Sequence, residues 1–325
     1  MESVGTPLFW TLFLLGVGVV LALDLGVVNR KAHVVRPREA ALWTLFCVSL
    51  ATLFAAWLFW RFGTRVGLEF TTGYLIEYAL SVDNLFVFLV VFSYFGVPAQ
   101  HQHRVLFWGI LGALVLRAVF IVLGAALLAR FQWLIYLFGV FLLVTGIKLL
   151  LAREVEVEPE KNPVLRLVRR FLPVTPAYHG HRFLVRLDGR LFATPLLLVL
   201  VVIEATDVVF AVDSIPAIFG VTRDPFIVFT SNIFAILGLR SLYFLLSDFM
   251  DRFHYLSVGL GLVLSFIGLK MVGSAWFHVP IGISLGVIVA LLGGSVLASF
   301  LFPPRAPSAQ EPEKSRKRKT PSATR

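Results

Sequence analysis

The sequence has few charges and almost no cysteine. Charged residues make up 15% of the 325 residues, whereas hydrophobic residues make up 58%. The single cysteine, Cys47, lies within an apolar run, which excludes an intrachain disulfide framework and a thiolate metal site. The mean hydropathy of +0.87 is far higher than a soluble domain needs. The composition therefore predicts a polytopic membrane protein whose apolar runs are transmembrane helices.

The N-terminal segment lacks the basic region and the small-residue cleavage site of a removed signal peptide, so we interpret its apolar run as a transmembrane span. Nine apolar runs have a suitable length, which predicts an all-α fold with nine transmembrane helices. They lie at about Leu8–Val28, Ala41–Trp60, Leu68–Phe95, Val105–Leu128, Leu134–Leu151, Phe192–Phe219, Phe226–Leu246, Tyr255–Val272 and Pro280–Phe302.

The basic residues fall mostly between these spans. If the N-terminus is outside, 21 Lys and Arg residues lie in cytoplasmic segments, 4 in outer loops and 4 within spans. Cytoplasmic loops of membrane proteins carry such an excess of basic residues. The sequence therefore predicts a multi-pass protein of the bacterial cytoplasmic (inner) membrane with a cytoplasmic C-terminus. The net charge of +10 is explained without a nucleic-acid partner.

Two polar segments interrupt or follow the transmembrane domain, which we place at residues 1–302. Residues 152–191 form a predicted cytoplasmic loop. Within it, Val164–Leu172 is either an amphipathic surface helix on anionic lipid or a solvated basic loop. Residues 303–325 are rich in Pro, Ser, Lys and Arg, which predicts a disordered basic tail.

Carboxylates lie inside the third and sixth spans, where an ionisable group costs a few kcal/mol or more and usually has a function. Glu77 and Asp83 are six residues apart in the third span, and Asp207 and Asp213 repeat that spacing in the sixth. The third span also contains Asn84, and the sixth contains Glu204 and Ser214. The same spacing in two spans indicates one polar site built from both.

The order of charged residues also repeats. Arg117 and Lys148 follow the first acidic pair, and Arg240 and Lys270 follow the second at nearly constant offset. We therefore predict a three-helix repeat, with one copy at about residues 68–151 and the other at about 192–272. Because three spans is an odd number, the second copy must be inverted, as in transporters whose binding site lies near the bilayer midplane.

The charges within the spans do not balance. The acids are Asp24, Glu77, Asp83, Glu204, Asp207 and Asp213, and the bases are Arg117, Lys148, Arg240 and Lys270. A divalent cation would neutralise the excess negative charge, and protons could neutralise it when no cation is bound. Without the cation, Arg117 and Arg240 are predicted to neutralise acids. The structural alternative is that the acids only pair with the arginines and lock helices together.

The residue types favour a hard cation. Carboxylate, amide and hydroxyl oxygens suit Mn²⁺, Mg²⁺ and Ca²⁺. We predict a metal site made by Glu77, Asp83, Asp207 and Asp213, with Glu204, Asn84 and Ser214 as further ligands. No His or Cys accompanies the acidic motifs. His101 and His103 could collect metal at the cytoplasmic mouth, although such loop histidines more often have no ligand role.

Helix geometry restricts this site. Six residues rotate a regular helix by about 600°, so Glu77 and Asp83 point about 120° apart. For all four acids to converge, the sixth span would have to break at Pro216 and the third at Asp83–Asn84. Alternatively, one acid of each helix binds the ion and the other faces Arg117 or Arg240. Both arrangements are compatible with the sequence.

Three features of the sequence resemble the TerC/Alx family of bacterial membrane proteins. They are the pattern Glu77-x5-Asp83-Asn84, the pattern Glu204-x2-Asp207-x5-Asp213-Ser214-Ile-Pro216, and Asp24 in a Leu-Asp-Leu context. The similarity covers about residues 8–302. It implies nine helices with inverted repeats, and Mn²⁺ efflux through the intramembrane acids. The tellurite resistance associated with the family is a phenotype and does not identify a substrate.

The resulting prediction is a Mn²⁺ or related divalent-cation exporter, with the cation as cargo and no prosthetic group. No nucleotide-binding motif is present, so a proton or ion gradient would drive transport. One alternative is a tellurite or other oxyanion transporter, which would need an excess of buried positive charge. Another is a membrane scaffold or insertion factor, in which the acids would be dispensable. We do not expect an enzyme, because no nucleophile and base form a recognisable pair.

Overall fold

A computed structural model describes residues 3–26, 37–151, 165, 166, 170, 172–180, 182–187, 189–247, 253 and 255–302. These residues form ten α-helices and one β-hairpin. The helices are α1 (Pro7–Gly26), α2 (Pro37–Phe62), α3 (Thr64–Tyr94), α4 (Ala99–Arg130), α5 (Leu134–Leu151), α6 (Pro195–Phe219), α7 (Pro225–Leu237), α8 (Leu239–Leu246), α9 (Leu256–Val272) and α10 (Ile281–Leu301). The strands are β1 (Leu184–Leu187) and β2 (Arg190–Ala193).

The helices confirm an all-α polytopic membrane protein. In the described part of the chain, eight segments are long and apolar enough to cross a membrane, and α1 adds a shorter apolar helix. Helices α7 and α8 together count as one of the eight. Apolar helices therefore occupy all nine positions at which the sequence predicts spans, although several helices begin earlier than expected.

The seventh span differs from the single helix predicted for Phe226–Leu246. It consists of α7 and α8, which are separated at Gly238. Asp224 caps the start of α7 by accepting a hydrogen bond from the backbone N–H of Phe226. A Cβ on Gly238 would lie 3.3 Å from the Cβ of Cys47 on α2, so the glycine permits close packing at the break.

Helices α3 and α6 are continuous, so the breaks considered at Asp83–Asn84 and Pro216 do not occur. Pro216 lies inside α6, three residues before its end. Its missing N–H therefore costs a hydrogen bond only in the final turns, where the helix can still close. As a consequence, the two acids of each six-residue pair project from different sides of a regular helix.

The centre of the bundle is formed by α3, α4, α6 and α7. Helix α3 packs against α2, α6 and α7, and α4 packs against α6 and α7. Helix α5 packs along α9, and α10 packs on α9 and α3. Every residue of α7 from Phe226 to Leu237 is buried, which makes it the innermost helix. The polar side chains of α7 therefore face other helices of the protein.

Contacts at the N-terminus define one side of the bundle, which we call the N-terminal side. The Ser3 hydroxyl and the Val4 N–H donate hydrogen bonds to the carboxylate of Asp224, at distances of 2.7 Å. Asp224 follows the end of α6, and the Thr222 hydroxyl bonds to Glu69 near the start of α3, so both helix ends lie on this side. The end of α3 and the start of α4 lie on the opposite side.

On that opposite side, the described part of the loop before α6 contains the β-hairpin. Strands β1 and β2 pair antiparallel, with Leu184 opposite Ala193. The Tyr178 hydroxyl donates a 2.6 Å hydrogen bond to the carbonyl oxygen of Phe95, which ties the loop to the end of α3. Most of the predicted surface helix at Val164–Leu172 lies outside the described residues, as does the tail at 303–325.

Candidate functional site

A buried arginine organises the centre of the bundle. Arg117 on α4 is 1% exposed. Its guanidinium forms an ion pair and hydrogen bond with Glu77 on α3. It also donates to Oδ1 of Asp207 at 3.3 Å, and to Ser214 Oγ and Asn232 Oδ1 at 3.2 Å each. We call these five residues the central cluster; it joins α3, α4, α6 and α7.

Glu77 is satisfied on both oxygens. It is fully buried, and its Oε2 accepts a 3.1 Å hydrogen bond from Nδ2 of Asn232. The Ser81 hydroxyl lies 3.5 Å from Oε1. Asn232 therefore contacts both members of the Glu77–Arg117 pair, with its amide nitrogen on the acid and its oxygen on the base. This two-sided contact fixes the position of the pair between α3, α4 and α7.

Asn232 is a functional candidate that the sequence predictions missed. The available signal was the polar triplet Thr230-Ser231-Asn232 in the otherwise apolar seventh span. Threonine and serine in a span can bond to their own helix backbone, as Thr230 and Ser231 do here. The Asn232 amide instead binds side chains of other helices. An asparagine in an apolar span thus identifies the side of α7 that faces the cluster.

Several buried side-chain atoms on the central helices have no hydrogen-bond partner. Among the described residues they include Asn84 Oδ1, Glu204 Oε2 and Asp207 Oδ2, together with Nε of Arg117. The three oxygens belong to residues that the sequence predicts as cation ligands. A buried polar atom without a partner costs about 1–3 kcal/mol, so each of these atoms calls for an explanation. Each of the three oxygens has a lone pair available to a cation.

The other two predicted carboxylates face elsewhere. Asp83 accepts a 3.3 Å hydrogen bond from the Ser257 hydroxyl of α9. Asp213 bonds to Thr145 on α5. Because α3 and α6 are unbroken, both acids point away from Arg117. Within the described ranges, no three His, Cys, Asp or Glu side chains come together as a metal-binding group, so the seven-ligand site stays a prediction.

Glu204 and Ser214 lie on the same helix as Asp207 but have different neighbours. The carboxylate of Glu204 packs against Gly112 on α4, where a Cβ would collide with it. Ser214 accepts a hydrogen bond from Arg117 and belongs to the central cluster. Helix α6 therefore presents three predicted ligands to α4, namely Glu204, Asp207 and Ser214. The glycine in α4 provides the room that the Glu204 carboxylate occupies.

Arg240 contacts a histidine of α4. Its Nη1 lies 3.0 Å from Nε2 of His103, near the start of α4. His103 is thus engaged by an arginine, and its neighbour His101 is buried. The predicted pairing of Arg240 with an acid stays a prediction, as does the role of Asp24, whose side chain lies outside the described part of α1.

Glu69 is a buried acid and the second residue, after Asn232, that the predictions missed. It lies two turns before Glu77 on α3 and is 8% exposed. Its Oε2 accepts a 2.6 Å hydrogen bond from the Thr222 hydroxyl, and its Oε1 a 2.9 Å bond from Nε of Arg65. It borders the predicted start of the third span, where an acid is expected to reach water. The eight-residue spacing to Glu77 was the available signal.

The fold and these contacts define the class of the chain, an integral membrane protein whose central helices enclose a buried ion-pair cluster. The model of the family described as Integral membrane protein TerC family matches residues 62–306. The chain therefore belongs to the TerC family, as its acidic motifs indicate.

Similar proteins occur in several bacteria. An uncharacterized membrane protein of Myxococcus xanthus is 55% identical over 307 residues, which cover 94% of this chain and 96% of that protein. A protein of Escherichia coli (strain K12), named Alx as a proposed membrane-bound redox modulator, is 49% identical over 301 residues, 90% of this chain and 94% of that protein. An uncharacterized membrane protein of Rickettsia felis is 40% identical over 292 residues, 90% and 97% of the two chains. No solved structure matches the chain.

Proposed function

We propose that this protein transports a divalent cation, with Mn²⁺ as the favoured cargo and export as the direction. The observation that carries the proposal is the set of buried oxygens without a hydrogen donor, Asn84 Oδ1, Glu204 Oε2 and Asp207 Oδ2. Charged and amide oxygens without donors are rarely retained in a protein interior unless another group uses them. A cation is a group that each of these oxygens could bind.

Arg117 is the internal competitor for that cation. Its guanidinium lies between Glu77 on α3 and Asp207 on α6. A divalent ion that binds both carboxylates must take the place of this guanidinium. Arg117 would therefore stabilise the cation-free state, and its withdrawal would accompany binding. This exchange gives the cluster two alternative states, which a transport cycle requires.

The charge of the central cluster favours a divalent cation over an anion. Two carboxylates, Glu77 and Asp207, contact one guanidinium. Replacing the single positive charge of Arg117 with two positive charges neutralises both acids. The remaining oxygens of Ser214 and Asn232 are neutral and hard, as Mn²⁺, Mg²⁺ and Ca²⁺ prefer. An oxyanion would instead meet two carboxylates, so tellurite transport is disfavoured.

Reciprocal packing supports the inverted repeat on which the proposal rests. Helix α3 packs on α7, and its counterpart α6 packs on α4. At the crossing of α5 and α9, Gly139 faces Gly268 and Gly146 faces Gly261. A two-fold axis that exchanges residues 68–151 with 192–272 would exchange these contacts too. In such a fold, rocking of one repeat against the other exposes a central site alternately to each side.

Protons are the proposed coupling ion. A proton on Glu77 or Asp207 would remove the charge that holds the cation, so protonation and cation binding would exclude each other. The sequence contains no nucleotide-binding motif that could supply another energy source. Inward movement of protons down their gradient would then drive outward movement of the cation.

Two other functions have less support. A scaffold or insertion factor would need the buried ion pairs only to hold the helices together, which leaves the three oxygens without donors unexplained. The Alx relatives are named for a proposed redox role. The single cysteine of this chain, Cys47, is 4% exposed, so a thiol–disulfide exchange between two of its own cysteines is excluded.

The test is Mn²⁺ flux into liposomes that contain the purified protein, with and without a pH gradient. We expect flux with the parent chain and none with Asp207→Asn, which keeps the size of the side chain and removes its charge. His278→Gln is the control, because His278 is exposed between α9 and α10. If Asp207→Asn transports Mn²⁺ as fast as the parent chain, the acids have a structural role and the proposed function is wrong.

A further inference from the structure

The N-terminal side of the bundle contains a cavity of about 450 Å³, which we call the N-terminal mouth. A buried carboxylate, Glu69, lies in its wall together with Arg65 and Thr222. Asp224 also lines it, but its carboxylate already accepts bonds from the N-terminal residues and from the start of α7. Glu69 is thus the acid of the mouth that is held by side chains alone.

Glu69 is aligned with the central cluster. Glu69, Gly73 and Glu77 are spaced by four residues each, so they lie on one face of α3, and the two acids are about 12 Å apart along the helix axis. Between them, a Cβ on Gly73 would lie 2.9 Å from Oγ of Ser231 and 3.3 Å from Cγ2 of Ile218. The route between the two acids is therefore closed by α6 and α7 at Gly73.

Basic groups surround Glu69. Arg65 bonds to it while its side chain is 67% exposed, and Lys270 of α9 interacts with it electrostatically. Arg223 lines the same cavity and is exposed. The two arginines and the two acids that line the mouth balance in charge, and Lys270 adds a further basic group near Glu69. Glu69 therefore lies among basic groups that would compete with a cation for its carboxylate.

We propose that Glu69 is a second cation-binding group, which receives the transported cation from the central cluster, and that Arg65 displaces the cation into the N-terminal mouth. This inference rests on the proposed function and adds a release step to it. The cation passes Gly73 when α6 and α7 move away from α3. The exposed Arg65 then reforms its bond with Glu69 and prevents the cation from returning.

Mn²⁺ flux in liposomes separates the roles of the two residues. Glu69→Gln keeps the hydrogen bond with Thr222 possible but removes the charge, and we expect a several-fold lower maximal rate. Arg65→Gln removes the competitor, so the half-saturating Mn²⁺ concentration and the maximal rate should both fall. Arg223→Gln is the matched control, because it removes the same charge from the same cavity without a described bond to Glu69. Equal effects of the two arginine variants would overturn the displacement by Arg65.

Thiol labelling tests Mn²⁺ binding at Glu69 without transport. Cys47→Ser makes the chain cysteine-free, and Val66→Cys then places one thiol in the wall of the mouth. Mn²⁺ should slow modification of this thiol by a water-soluble maleimide, and Glu69→Gln should abolish the protection. Protection without Mn²⁺ flux would support Glu69 and refute the proposed function. Absent protection, or protection that survives Glu69→Gln, would overturn the inference, even if Asp207→Asn still stops transport.

Discussion

Gly268 on α9 and Gly139 on α5 are in backbone contact: a Cβ on Gly268 would lie 2.6 Å from the carbonyl oxygen of Gly139. The same holds one pair further along, where a Cβ on Gly146 would lie 2.6 Å from the carbonyl oxygen of Gly261. Small residues at membrane helix interfaces allow this close approach, and the resulting van der Waals contact replaces the hydrophobic effect that lipid does not provide.

We therefore expect Gly268→Ala to destabilise the pairing of α5 with α9. The added methyl group meets backbone atoms of Gly139 and Leu143, which cannot turn aside as a side chain can. Overpacking of this kind costs about 1–3 kcal/mol. The measurement is the thermal unfolding midpoint in detergent. Gly286→Ala on α10 is the control, because its Cβ would meet nothing within 4 Å; an equal loss in both variants would refute the interpretation.

Arg117→Gln should lower the stability of the fold. It leaves Glu77 and Asp207 buried without their cationic partner, which costs about 3–5 kcal/mol for a broken buried pair. Adding Glu77→Gln should recover part of the loss, because one unpaired charge is then removed. Thermal unfolding of the single and double variants measures this coupling.

The exposed Arg61→Gln provides the control for that experiment. It should unfold at the same temperature as the parent chain. If Arg117→Gln is as stable as Arg61→Gln, the central ion pairs do not contribute to folding. If the double variant is less stable than Arg117→Gln alone, the unpaired charge is not the cause of the loss.

Replacing an acid of the central cluster should change the kinetics of Mn²⁺ flux differently from replacing an acid that faces α5 or α9. Glu77→Gln changes a group that contacts Arg117, so it should raise the half-saturating Mn²⁺ concentration or abolish flux. Asp83→Asn and Asp213→Asn change groups bonded to Ser257 and Thr145. They should lower the maximal rate with less effect on half-saturation. A larger affinity loss for Asp83→Asn than for Glu77→Gln would instead favour the four-carboxylate site.

The orientation in the membrane is predicted from the basic residues, 21 of which would be cytoplasmic and 4 outside. A reporter fused in the loop at Thr222 should be active outside, and one fused in the tail after residue 302 should be active in the cytoplasm. Alkaline phosphatase and green fluorescent protein fusions measure the two locations. The same location for both sites would disprove the nine-span topology.

The spans and their buried acids could be recognised from the sequence because each depends on local composition. An apolar run of about 20 residues has to be a helix in lipid, where its backbone groups must bond within the segment. Helical rotation also shows that Glu77 and Asp83 diverge on an unbroken helix. The Gly238 break was not predicted, and the continuity of α6 through Pro216 was left open, since both depend on packing against neighbouring helices.

The sequence by itself determined the membrane class, the positions of the spans and the presence of acids inside them. Only the tertiary structure decided that Glu77 and Asp207 share Arg117, while Asp83 and Asp213 turn to α9 and α5. It also revealed Asn232 and Glu69, which bond to Glu77 and Thr222 respectively, each more than 100 residues away in the chain. The physical reason is that periodicity sets the direction of a side chain relative to its own helix, whereas helix packing sets what lies in that direction.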